Sequence, residues 1–155
     1  MQRAMRPIIS TVLSLRRPER LQGAIRSAST AVKLAPENVA ARTGYFYILV
    51  QVDRLNEAIE QLKTILIFDP ENEFALRNMG LYYAEKENDF VAAVPFFERL
   101  YRAAPGDPES IGLLAWGYFQ SGNTHEARRI VKEGGRYYRK DRVLKEQRRI
   151  ILKGV

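Results

Sequence analysis

The sequence predicts an all-α protein, a solenoid of stacked helical hairpins closed at its C-terminal end by one further helix. Three observations carry that expectation. Prolines recur at Pro36, Pro70 and Pro105, at spacings of 34 and 35 residues. An alanine stands twelve residues before each, at Ala24, Ala58 and Ala93, and Ala127 continues the series 34 residues on. Between these marks the apolar residues follow a helical period, interrupted once per unit by polar turn residues. A period of this length means one supersecondary unit repeated, each copy hiding its apolar face against the next.

The elements follow in order. The first unit, about 5–38, has Ala24, Ala31 and Pro36 but a weakly patterned first helix, as terminal units often do. The second, 39–72, carries Tyr45, Leu49, Ala58 and Leu62 around a break at Gln51–Asp53 and closes at Pro70. Phe46 stands where a small residue is expected, so its two helices should pack more loosely or with a shift. In the third, 73–107, Leu76, Met79, Gly80 and Tyr83 form one helical stripe and Ala93, Phe96, Phe97 and Leu100 a second. The 35-residue spacing puts one extra residue into its turn, Glu85–Asp89. The fourth, 108–141, repeats the first stripe as Ile111, Leu114, Ala115 and Tyr118, turns at Ser121–Asn123, and has no closing proline. Each proline ends a helix because its ring fixes φ and it lacks an N–H. The Glu and Asn that follow Pro36 and Pro70 suit the first turn of the next helix. The last stretch, about 141–153, reads as a capping helix: Asp141 for the N-cap, Val143, Leu144, Ile150 and Ile151 to cover the fourth unit, Gly154 to stop it. A free basic helix is the other reading.

Composition narrows the function classes. With no cysteine among 155 residues, disulfides and thiolate metal sites are excluded, in keeping with a reducing compartment. No apolar run approaches the roughly 20 residues of a membrane span. Arg16-Arg17-Pro18 follows the short N-terminal apolar stretch where a signal peptide would place a small-residue cleavage site, so the chain is expected to be mature and cytoplasmic, with a peripheral membrane complex as a further setting. The net charge of +7 is uneven: residues 1–33 balance at +6, 34–127 at −7 and 128–155 at +8. Such asymmetry bears on partners rather than on fold.

The motif residues resemble the tetratricopeptide repeat, whose pattern is W-x2-L-G-x2-Y, then A-x3-F, then P. Residues 73–107 match best, through Leu76, Met79, Gly80, Tyr83, Ala93, Phe97 and Pro105. The resemblance covers about 5–141 and implies a right-handed superhelix of antiparallel helix pairs. It implies a single repeat domain over 1–155 and a non-catalytic scaffold or adaptor that binds a partner segment in a concave groove lined by the first helices. Relatives of this size include chaperone-like proteins that assemble bacterial secretion or envelope machinery.

The residues themselves offer no catalytic constellation. His125 is the one histidine and sits in a turn without a metal-ligand set, so no cofactor or metal is expected. No phosphate loop or nucleophile elbow appears, and the acidic pairs fall in or beside turns. For the groove the alignment nominates Tyr47 from the second unit, Phe74, Arg77, Asn78 and Leu81 from the third, and Leu113, Trp116, Phe119 and Gln120 from the fourth. Trp116, the only tryptophan, would lie at the centre. The partner is therefore expected to be a protein segment with apolar anchors, acidic in part. A covered groove, with the stripe serving as core beneath a terminal helix, is the competing arrangement. Family members that clamp a C-terminal carboxylate use Lys, Asn and Arg at positions held here by Thr43, Tyr47, Asn78, Glu109 and Leu113, of which only Asn78 agrees. A second surface is basic: Arg128, Lys132, Arg136, Arg139 and Lys140, where cations interleave with tyrosines. It suggests RNA or an anionic surface as the alternative partner, and a second copy of the chain would fit as well.

Overall fold

The computed structural model describes residues 18–135 and 142–153, and among them the fold is entirely helical. The helices are α1 (Pro18–Leu34), α2 (Val39–Gln51), α3 (Leu55–Phe68), α4 (Glu73–Leu81), α5 (Phe90–Ala103), α6 (Pro108–Gln120), α7 (Thr124–Glu133) and α8 (Arg142–Lys153). The stretch expected to form the first helix of the first unit lies outside the described residues. The chain falls into two compact units, Met1–Pro70 and Glu71–Val155. A solenoid makes contacts only between neighbours in sequence, so any joint between hairpins is a place where it can divide.

The Pro-Glu-Asn punctuation has a local cause. Asn38 and Asn72 stand just before their helices as N-caps, one step earlier than the first turn expected for them. Asn38 Oδ1 accepts from the Ala41 amide at 2.9 Å and Asn72 Oδ1 from Ala75 at 3.0 Å. Asp107 does the same for α6, accepting from Ser110 at 2.8 Å. Each satisfies an amide that the helix start would leave unpaired. The tight turns inside the hairpins also recur: Asp53, Asn88 and Gly122 all have positive φ, at 58°, 52° and 86°. Asn, Asp and Gly tolerate that conformation best.

These two sets of marks locate the extra residue of the third unit. Fifteen positions separate Asn38 from Asp53 and Asp107 from Gly122, whereas sixteen separate Asn72 from Asn88. The stretch from each turn to the next cap is constant. The additional residue is therefore taken up in the first helix and not in the turn, which corrects the sequence-based placement. It appears as a π-helical segment, Tyr82–Lys86, continuing α4, with the Glu87 amide reaching the Tyr82 carbonyl at 3.3 Å. A wider turn absorbs one residue without breaking the helix.

In the first unit α2 packs on both α1 and α3. Ile25 and Val32 of α1 are buried, as are Tyr45, Phe46 and Leu49 of α2 and Ala58, Ile59, Leu62 and Ile65 of α3. Phe46 is thus accommodated inside the hairpin, and a hydrogen bond from Arg42 Nη1 to Gln61 Oε1, 2.9 Å, joins α2 to α3 at its edge. In the second unit α4 pairs with α5 and α6 with α7, while α5 packs on α6. Phe97 of α5 is fully buried there. One edge of its ring lies against Gly80 of α4 and the other against Gly117 of α6. The repeated alanines Ala58, Ala93 and Ala127 are all fully buried, each in the second helix of its pair. Small side chains are needed where helices approach this closely.

Of the two readings for the C-terminal stretch, the structure has the cap. α8 packs on α7 and α6, Ile151 is buried and Ile150 half-buried. Arg128 Nε of α7 donates to the Ile151 carbonyl at 3.4 Å, satisfying a last-turn carbonyl of α8. Asp141, Gly154 and the side chains of Val143 and Leu144 lie outside the described residues.

Candidate partner-binding surface

The nominated residues lie on the first helices of the hairpins, whose opposite faces are tied into the core. On α4, Ala75, Leu76, Met79 and Gly80 are buried, leaving Phe74, Arg77, Asn78 and Leu81 half-buried along one side at i, i+3, i+4 and i+7. Asn78 Nδ2 donates to the Phe74 carbonyl of its own helix at 2.7 Å. One of the two N–H donors of that amide is thus used within its own helix. Arg77 Nε lies 3.1 Å from Glu109 Oε2. This Nε is buried and lacks the alignment of a hydrogen bond, so the contact is an ion pair by proximity. Glu109 sits in the first turn of α6, where an anion also suits the helix terminus. The pair spans α4 and α6 and neutralises the one cation expected in the groove.

On α6 the expected stripe is only partly at the surface. Phe119 is half-buried and Gln120 exposed. Leu113 is 5% exposed and belongs to the core, because almost all of α6 from Ser110 to Ala115 is buried between its neighbours. That corrects its assignment to the groove. Trp116 is half-buried, and its ring meets Phe90 edge-on at 4.9 Å and Phe97 at 6.4 Å, both on α5. It is anchored in the α5–α6 contact, so part of the ring serves packing rather than standing alone at the centre of a groove. Tyr118 ties the same helices together through its hydroxyl, 2.6 Å from Glu98 Oε1. Burial, with help from that carboxylate, pushes the phenol up to about 12.

In the first unit Tyr47 of α2 is 40% exposed, with its ring edge-on to Phe46 at 5.6 Å. Leu34 at 81%, Ile67 at 73% and Phe68 at 49% are more exposed still, at the C-terminal ends of α1 and α3. Sequence reasoning passed over them. Their signal was present, since Leu34 and Phe68 each stand two residues before a repeat proline. Of the basic residues, Arg128 and Lys132 are exposed on α7, whereas Arg136, Arg139 and Lys140 lie outside the described residues. His125 is exposed beside Glu126, and among the described residues no group of acids or histidines is placed to hold a metal.

A family model for the tetratricopeptide repeat matches residues 15–78 and 84–146. The chain belongs to the tetratricopeptide-repeat family. Members of that family are protein-interaction scaffolds, and the hairpins described above are its repeats. No curated protein matches the sequence. Among solved structures, a tetratricopeptide repeat protein from Parabacteroides merdae is similar at 24% identity and a TM-score of 0.67, over 88% of this chain and 53% of that one. The chain thus spans about half the length of that relative. MamA is similar at 18% identity and a TM-score of 0.73, covering 88% of this chain and 79% of its own. TTC0263, a thermophilic protein of the family from Thermus thermophilus, is similar at 18% and 0.63, covering 87% and 74%. At these identities the likeness establishes the fold. No helix among the described residues is long and apolar enough to cross a membrane.

Proposed function

We propose that the chain is a non-catalytic adaptor that takes a protein segment on the exposed side of its first helices. The observation that carries this reading is the split in α4, where one side is sealed into the core and the other presents Phe74, Arg77, Asn78 and Leu81 half-exposed. Phe119 and Gln120 extend the same chemistry onto α6. Apolar anchors with a few polar groups suit an extended or helical segment. Because Arg77 already faces Glu109, apolar contacts supply the attraction and an acidic residue in the partner has to compete for that arginine. Tyr47 would offer a similar contact on α2. We place this adaptor in the cytoplasm, in the assembly of a bacterial secretion or envelope complex, on its family and its lack of cysteine.

The test is selection of binding segments from a displayed peptide library on the full chain, followed by titration. Segments with apolar anchors should be enriched, and binding should perturb the fluorescence of Trp116, the single tryptophan. Leu81→Ala with Phe119→Ala should weaken binding at least tenfold while the helical circular dichroism is kept. Peptides that bind this double variant as tightly as the unchanged chain would refute the site.

A further inference from the structure

The two C-terminal helices carry a surface that the adaptor reading leaves unused. Within α7 and α8 the acidic residues are Glu126, Glu133 and Glu146. Arg129 takes the first two, at 2.7 and 3.0 Å, and Arg149 takes the third at 2.5 Å. No acid of these helices is left for Arg128, Lys132, Lys145, Arg148 and Lys153, and all five are exposed. Arg128 spends its Nε on the Ile151 carbonyl, which holds the end of α8 beside α7 and joins the two sets of cations into one surface.

We infer that this surface docks the chain on an anionic phospholipid bilayer. The choice of occupant follows from what the surface lacks. Neither α7 nor α8 contains a phenylalanine, tyrosine or tryptophan, and single-stranded RNA is held on stacking aromatics as well as cations. Among the described side chains, the exposed large hydrophobic residues, Leu34, Tyr47, Val50, Ile67, Phe68 and Val91, all lie on other helices. Toward the apolar centre that a protein interface needs, the described side chains of α7 and α8 offer only the half-buried Ile150 and Leu152. The buried Ile151 keeps the inward side of α8 committed to the core, so α8 does not lie in the headgroup layer as an inserted amphipathic helix. What remains is a cluster of cations without steric or stacking demands, suited to a plane of lipid phosphates. Attraction of this kind works over about a Debye length and is strongly weakened by salt.

The experiment is sedimentation of the full chain with phosphatidylcholine vesicles, with and without phosphatidylglycerol. The expected result is binding only to the anionic vesicles, lost on raising the salt. Lys132→Gln, Lys145→Gln and Arg148→Gln together should lower the partition coefficient on the order of 100-fold, about fivefold per charge. All three positions are exposed, so thermal unfolding should be unchanged. Leu81→Ala with Phe119→Ala should leave vesicle binding intact, which separates this surface from the proposed groove. Absence of binding to anionic vesicles, equal binding to neutral ones, or an unaffected triple variant overturns the inference. So does a duplex RNA that binds at a salt concentration where vesicles no longer do, since the phosphates sought would then be those of nucleic acid.

Discussion

Gly80→Ala should destabilise the protein, although alanine is the better helix former. An alanine Cβ built at Gly80 would stand 2.7 Å from Phe97 Cδ1 and 3.0 Å from Cζ. Carbon atoms prefer about 3.5–4.0 Å, so the ring has to retreat by about 1 Å. It has nowhere to go, because its far edge already lies against Gly117, where a Cβ would stand only 2.9 Å from Cδ2. Overpacking of this kind costs about 1–3 kcal/mol, while replacing a helical glycine by alanine returns about 1 kcal/mol. The trapped ring puts the cost in the upper half of its range, and the net loss should be about 1–2 kcal/mol. Gly44→Ala is the control. It makes the same chemical change inside α2, where the new Cβ meets nothing within 4 Å, and should raise stability by up to about 1 kcal/mol. Urea unfolding of the full chain, followed by circular dichroism, measures both. Phe97→Leu in the Gly80→Ala background removes the ring from the clash, so the two changes should be strongly non-additive. Gly80→Ala at or above wild-type stability, or simple additivity with Phe97→Leu, would refute the proposed grip on the ring.

Two further outcomes are expected. Asp107→Ala removes the carboxylate that accepts from the Ser110 amide at the start of α6, and should lower unfolding stability by about 1 kcal/mol in urea. The Tyr118 phenol is held in its neutral form by burial and by Glu98, with its folded pKa raised to about 12 against the ordinary 10. Its contribution is fully present below pH 10 and is lost as pH rises toward 12, because the unfolded chain releases the proton first. The urea midpoint of the wild type should therefore fall more steeply between pH 10 and 12 than that of Tyr118→Phe. Parallel curves would show that the tyrosine is not held this way.

The groove was legible in the sequence only as a list of helix positions. The resemblance to the repeat family nominated Phe74, Arg77, Asn78 and Leu81 on α4, and the structure leaves them half-exposed on one side of that helix. The same reasoning put Leu113 on the surface, where it is buried, because α6 packs on α5, α7 and α8 and so has little free side. A count along one helix cannot register how many neighbours that helix acquires. Trp116 shows the same limit, since its partners Phe90 and Phe97 come from another hairpin. Arg77 read as a cation available to a ligand, and its pairing with Glu109 is a contact across 32 positions of sequence.

What the sequence determined by itself was the repeat. Caps, turns and helical stripes are local events within a few residues, so Asn38, Asn72 and Asp107, the alanine series and the closing prolines announce hairpins without reference to anything distant. Only the tertiary structure decided where the extra residue of the third repeat went, which side chains of α6 remained at the surface, and that α8 lies down as a cap. Those outcomes depend on which helices compete for the same apolar face. That competition is settled by close packing between segments far apart in the chain, at contacts such as Phe97 between two glycines.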